Sequence, residues 1–182
     1  MFGYVVLQLG ETCEMQAGKA INAKELSQVK DAAHPFLCYG GNGVRGFIGK
    51  SNTNGEHAII GRQGALCGNV QFARGDFYAT EHAVVVKSKG LYDDRFLYYL
   101  LTMMNLNQYK SSGAQPGLSV KKLETICAPV PKLETQRQIA SILDRFDRLC
   151  NDISEGLPAE IEARKKQYEY YCDQLLSFPE KQ

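Results

Sequence analysis

The sequence predicts an α+β fold, a mixed β-rich domain followed by a long antiparallel two-helix stalk. Three observations carry this. Between residues 36 and 86, short runs rich in Val, Ile, Phe and Tyr alternate with glycine-bearing turns, the pattern of strands. Pro129 and Pro131, at alternate positions, hold the backbone extended and stop a helix from passing through. Beyond them Ile139, Ile142, Phe146, Leu149 and Ile153 form a heptad seam, with Arg137, Asp144, Arg145, Asp147 and Arg148 on other faces.

In chain order, Tyr4 to Leu9 is a short strand or a buried entry segment, closed by Gly10, and Glu11 to Gly18 a helical turn leading to a loop around Gly18-Lys19. Ala23 to Val29 is a short helix. Phe36 to Tyr39 is strand-like, and Gly40-Gly41-Asn42-Gly43 forces a turn before Val44 to Ile48 resume it. Asn52 to Gly55 is a hairpin-like turn, and Ala58-Ile59-Ile60 a buried strand. Val70 to Phe72 and Phe77 to Val86 are further strands around Arg74-Gly75-Asp76. Asp93-Asp94 caps a helix from Arg95 to about Met104, and Ser119 caps a turn from Val120 to Leu123. Ile126 to Val130 is a last extended segment. The domain thus spans residues 1–132 and the stalk 133–182. Its helices cover about 133–153 and 159–178, broken at Gly156-Leu157-Pro158 and folded back as a hairpin.

A chain of 182 residues, 44% apolar and 23% charged, can bury a real core and is not disordered. It contains no run of ~18 apolar residues that would span a membrane and no secretory signal at residues 1–10. Six scattered cysteines without a CxxC pair suit reduced, mostly buried thiols in a cytoplasmic protein. The net charge of +1 does not mark a general polyanion binder. Its distribution does more: residues 39–90 carry six Lys or Arg against three acids, and 107–132 four Lys against Glu124. The stalk carries seven basic and ten acidic residues. A basic domain on an acidic stalk suits a phosphate-facing surface with a protein-facing rod.

Catalytic constellations are weak. Gly61 to Gly68 follows a strand but lacks the Gly-Lys-Ser/Thr ending of a phosphate loop. His34, Cys38, His57 and His82 lack the clustering of a metal site. Cys67 with His57 or His82 leaves a small cysteine hydrolase open, although a buried structural thiol is the commoner case.

Direct DNA reading fits better. Asn42, Arg45, Asn52, Asn54, Arg62, Gln63, Asn69, Gln71 and Arg74 lie in or beside turns. Arg pairs with guanine, and Asn or Gln with adenine, through two hydrogen bonds in the major groove. Lys19, Lys50, Lys110, Ser111, Ser112, Gln115, Lys121 and Lys122 suit phosphate oxygens, which need cations and small donors.

Several stretches occur in a telling order: Tyr39-Gly40-Gly41-Asn42-Gly43, Ile59-Ile60-Gly61-Arg62-Gln63-Gly64, Ala79-Thr80-Glu81-His82-Ala83-Val84 and Gly113-Ala114-Gln115-Pro116-Gly117-Leu118-Ser119. They precede Pro129-Val130-Pro131, Leu133-Glu134-Thr135-Gln136 and Ile139-Ala140-Ser141-Ile142-Leu143-Asp144. Together with Leu157 to Tyr171 the set resembles the specificity subunit of type I restriction–modification systems. The resemblance implies a non-catalytic subunit that reads one half of a split duplex DNA site and docks methyltransferase subunits. S-adenosylmethionine, ATP and magnesium would then belong to partner subunits, the last two to a restriction and translocase subunit. A full relative has two recognition domains and two helical regions, whereas this chain has one of each. A homodimer follows, built through Ile139, Ile142, Phe146, Leu149, Ile153, Ile161, Tyr168, Tyr171 and Leu175. A pure assembly adaptor that binds protein rather than DNA is the alternative from another class.

Overall fold

The computed structural model describes residues 3–64, 66–112 and 116–176; within the final helix, the side chains of 149–163, 168 and 171–176 lie outside the description. The chain forms two compact units, Met1–Ala140 and Ser141–Gln182.

The first unit is built on two four-stranded sheets. One joins β2 (Cys13–Ala17), β9 (Ala83–Ser88), β6 (His57–Gly61) and β7 (Val70–Ala73), in that order and antiparallel throughout. The other joins β4 (Gly43–Ile48), β3 (Phe36–Gly40), β8 (Asp76–Ala79) and β5 (Thr53–Asn54), with β3 and β8 parallel. A separate ribbon pairs β1 (Tyr4–Gln8) with β10 (Cys127–Pro131). Pro129 and Pro131 are tolerated because this ribbon leaves one side of each strand without a ladder to feed.

Alternation along β6 and β9 explains the layering. Ala58, Ile60, Val84 and Val86 face one core with Leu97 and Leu101 of α2 (Asp94–Met103), while Ile59, Ala83 and Val85 face Tyr39, Phe77 and Ala79 of the other sheet. A strand buried on both faces must be apolar at every position, so the continuous runs Ala58-Ile59-Ile60 and Ala83 to Val86 carry no polar face. Each wholly buried Leu or Ile contributes about 1.5–3 kcal/mol relative to exposure. The close approach of the sheets requires glycine at one place: a Cβ on Gly61 would run into the carbonyl of Gly41.

The run Phe77 to Val86, expected as one strand, is two strands in different sheets. Thr80-Glu81-His82 breaks it, with Ala83 N–H donating to the Thr80 carbonyl at 2.9 Å and Thr80 N–H to Tyr39 at 2.9 Å. The helical turn expected over Glu11 to Gly18 lies earlier, as α1 (Leu9–Thr12), because Gln8 and Glu11 close a capping box; Cys13–Ala17 then pairs with β9. The helix expected over Ala23 to Val29 contracts to a 3₁₀ turn, Ala23–Glu25. Asp93 caps α2, its side chain accepting from Phe96 N–H at 3.1 Å, and Ser119 caps α3 (Val120–Glu124), accepting from Lys122 N–H at 3.2 Å. Both caps agree with the sequence reading.

The final helix, α4 (Leu133–Leu176), corrects the expected hairpin. It runs through Gly156-Leu157-Pro158 without a break. Pro158 offers no N–H to the carbonyl four residues back, and Gly and Pro together weaken a helix by about 4 kcal/mol relative to Ala. The flanks are strong helix formers, notably Ala159-Glu160-Ile161-Glu162-Ala163-Arg164-Lys165-Lys166, and they carry the helix across.

The start of α4 is fixed by Gln136, whose side chain is wholly buried. Its Oε1 accepts from Asp93 N–H at 2.8 Å, and its Nε2 donates to the carbonyls of Leu91 at 2.9 Å and Pro131 at 2.7 Å. Nearby, the Tyr92 hydroxyl donates to the Pro129 carbonyl at 3.1 Å, and burial pushes its pKa up to about 12. Ile139 and Ala140 pack against the core. In the second unit Ile142 and Phe146 are 52% and 60% exposed. The seam positions Leu149, Ile153, Ile161, Tyr168, Tyr171 and Leu175 have side chains outside the described residues. Among the described residues no helix is long and apolar enough to cross a membrane.

Candidate nucleic-acid interface

The loop after β6 is stitched to two distant segments by its backbone. Arg62 N–H donates to His82 at 2.9 Å and its carbonyl accepts from Leu118 N–H at 2.8 Å. Gln63 forms a bridge with Gly117, and Gly64 N–H donates to Pro116 at 3.2 Å. Ser111 N–H in turn donates to Gly117 at 2.8 Å, and Gly117 N–H to Ser111 Oγ at 3.1 Å. Residues some fifty positions apart are thereby held side by side.

The result is three adjoining clefts. Arg62, Gln63, Tyr109, Lys110, Ser111, Ser112, Ser119 and Lys122 line the first. Gly41, Asn42, Val44, Arg45, Gln63, Gly64 and His82 line the second. Asn42, Leu66, Gly68, Asn69, Thr102, Asn105 and Asn107 belong to the third. Gln63 joins the first two and Asn42 the last two, so they form one strip, and among the described residues none lining it is acidic. The Arg62 Nε is buried without a hydrogen-bond partner among the described residues. Lys110 Nζ donates to Asn107 Oδ1 at 3.0 Å, which holds the ammonium over the strip. Arg45 is exposed, its stem lying over Gly40, and its charge reaches the buried Cys38, whose thiol burial pushes up. His82 Nε2 lies 3.2 Å from Glu81 Oε1.

Cations and hydroxyls gather at the Lys110–Lys122 end, where phosphate oxygens could be bound. Amides and Arg45 gather at the other end, where donor and acceptor pairs could meet base edges.

Of the residues singled out from the sequence, Asn42, Arg45, Arg62, Gln63 and Asn69 share this strip with Lys110, Ser111, Ser112 and Lys122. Gln71, half-buried on β7, sits where a Cβ on Gly43 would meet it at 3.4 Å. The others do not join. Asn52 spends its amide within the fold: its Nδ2 donates to the Ala79 carbonyl and its Oδ1 accepts from Ala79 N–H, both at 2.9 Å, so the amide acts as a strand neighbour. Asn54 donates to Asp76 at 2.8 Å and Arg74 lies 3.5 Å from Glu56, giving a charge-balanced turn elsewhere. Lys50 is paired with Glu25, Lys19 lines a separate small cleft with Lys87, and Lys121 is exposed on α3 outside the strip. Gln115 lies outside the described residues.

Sequence reasoning placed none of His82, Tyr109, Asn105 and Asn107 at a DNA-facing surface. Asn105 carried one usable signal, its residue type: asparagine tolerates positive φ better than most side chains, and among the described residues it is the non-glycine residue that adopts it, at 48°. The Cys67 thiol is wholly buried against Asn107, whose Nδ2 donates to the Cys67 carbonyl at 2.6 Å. His57 Nε2 lies 3.0 Å from the Asn54 carbonyl, and among the described residues no hydrogen bond joins a cysteine to a histidine.

A family model described as the type I restriction modification DNA specificity domain matches residues 1–163. The chain belongs to this family. It is 50% identical over 147 residues to the EcoprrI type I restriction enzyme specificity subunit of Escherichia coli, covering 81% of this chain and 37% of that protein. A putative type I specificity subunit of Mycoplasma pneumoniae is 34% identical over 180 residues, covering 96% of this chain and 58% of the relative. The specificity-family chain thus spans between about a third and three-fifths of these two relatives. Among solved structures, the type I S subunit of M. genitalium superposes with a TM-score of 0.72 at 18% identity, over 96% of this chain and 46% of the other. The HsdS subunit from Thermoanaerobacter tengcongensis gives a TM-score of 0.61 at 18% identity over 85% of this chain and 40% of that one, so the fold is shared at low sequence identity.

Proposed function

We propose that this chain is the DNA-recognition module of a type I restriction–modification complex, reading one half of a bipartite duplex site and performing no catalysis itself. The acid-free strip from Lys122 and Lys110 through Arg62 and Gln63 to Asn42 and Asn69 carries this reading. It sets phosphate-binding groups beside base-reading groups on one surface, as sequence-specific duplex binding requires. Methyltransferase subunits are the proposed docking partners. They would bring S-adenosylmethionine, and a restriction and translocase subunit would bring ATP and magnesium. A cytoplasmic location goes with these partners. Two copies associate through α4, for which the exposed Ile142 and Phe146 are the support.

Competition titrations with selected and scrambled duplexes test the division of labour. Arg45→Ala should lose discrimination by about 1–3 kcal/mol, the range for one two-bond base contact. Lys110→Ala and Lys122→Ala should weaken both duplexes alike. Unchanged affinity for every duplex in all three variants would remove the strip from DNA.

A further inference from the structure

Asn42 and Asn69 are exposed, yet neither amide is loose. Asn69 Nδ2 donates to Asn42 Oδ1 at 3.2 Å, which ties up one donor and one acceptor. The pair keeps both N–H groups of Asn42 together with the carbonyl and one N–H of Asn69, and reversing both amides exchanges the two residues' roles. Adenine offers its N7 acceptor and N6 donor in the major groove, whereas guanine offers two acceptors, N7 and O6. A fixed donor–acceptor couple complements the first and sets a carbonyl against O6 in the second. We infer that the Asn42–Asn69 pair reads the major-groove edge of an adenine, with Leu66 against the methyl group of a thymine beside it.

Leu66 supplies the second part. It lines the same cleft as both asparagines and is 59% exposed, an apolar side chain set in a polar rim. Thymine's C5-methyl is the one apolar group on the major-groove edge of DNA. The elements holding these three side chains are braced by backbone hydrogen bonds and close packing. Asn42 sits in the tight turn closed by the Gly40–Gly43 pair, with Gly43 at φ 91°. Leu66 and Asn69 belong to a turn in which Cys67 N–H donates to Gly64 at 3.1 Å, Asn69 N–H to Leu66 at 3.1 Å and Gly68 N–H to Gly61 at 2.7 Å. Gly68, at φ 91°, lies so close to the Asn107 backbone that no side chain fits there. Little ordering entropy then opposes binding at this point.

The inference rests on the DNA-reading function proposed above, and the test separates the two. Duplexes bound by the full chain are enriched from a randomised library and sequenced, then the same is done with Asn69→Ala and Leu66→Ala. The intact chain should enrich a motif containing an A·T pair, whose preference falls about tenfold in Asn69→Ala, within the range for a two-bond base contact. Replacing the thymine by uracil should weaken the intact chain about fourfold, as expected for one buried methyl, and leave Leu66→Ala unmoved. A second arm needs no variant: 7-deazaadenine, which lacks N7, should weaken binding of the intact chain about tenfold at that position and be tolerated at positions the pair does not read. A motif unchanged in Asn69→Ala, or 7-deazaadenine tolerated at every adenine, overturns the adenine assignment while DNA reading stands. A library with no motif enriched overturns both.

Discussion

Replacing Gln136 by leucine should destabilise the first unit by about 3 kcal/mol or more, the largest single effect expected in this protein. Leucine has similar volume and fits a buried site, so the loss is not a cavity. The loss is three hydrogen bonds at once: Asp93 N–H and the Leu91 and Pro131 carbonyls would each be left with a missing partner. A buried group in that state costs about 1–3 kcal/mol. The three bonds also join the cap of α2, the end of β10 and the first turn of α4, so one side chain sets how these elements meet. Urea unfolding followed by circular dichroism provides the measurement, with the exposed neighbour Gln138→Leu as control, expected within about 0.5 kcal/mol of the unmutated chain. Equal midpoints for the two variants would show that Gln136 is not an anchor.

Ile142→Asp with Phe146→Asp should abolish self-association at micromolar concentration. Both side chains are large, apolar and more than half exposed, four residues apart on one face of α4. A polar helix surface interrupted by such a stripe is covered in most proteins by a second helix, and closed two-fold pairing is the simplest cover that a second copy provides. Charge on the stripe would have to be desolvated at that interface, at a cost of several kcal/mol. Sedimentation of the intact chain should show a dimer and the double variant a monomer of unchanged helix content. A monomeric intact chain at tens of micromolar would discard the dimer.

Much of the fold could be read from local chemistry. The Val- and Ile-rich runs, the Asp93 and Ser119 caps and the proline-held strand all announce themselves within a few residues, because strand pairing, capping and proline geometry are local effects. Misreadings arose where distant competition decided. Phe77 to Val86 has no glycine or proline to mark its break; the two sheets compete for it, and Thr80 closes the change of sheet. The end of the chain was misread the opposite way, since Gly156 and Pro158 are strong local signals outweighed by the helix formers around them. The interface was legible by residue type but not by address. Asn42 and Asn52 look alike as sequence, yet one amide lies on the strip and the other is consumed by Ala79. Arg62 and Lys122 line one cleft because the loop after β6 is bonded to residues 116–118, a pairing that no local pattern encodes.

The proposed binding of duplex DNA by the cations of this strip is tested most directly by measuring the affinity of the intact chain for a mixed-sequence duplex over a range of salt concentrations. Arg62, Lys110 and Lys122 each displacing one condensed counterion predicts that log K falls linearly with log salt, with a slope of about −2 to −3 per chain. No binding at low salt, or a slope near zero, would contradict it.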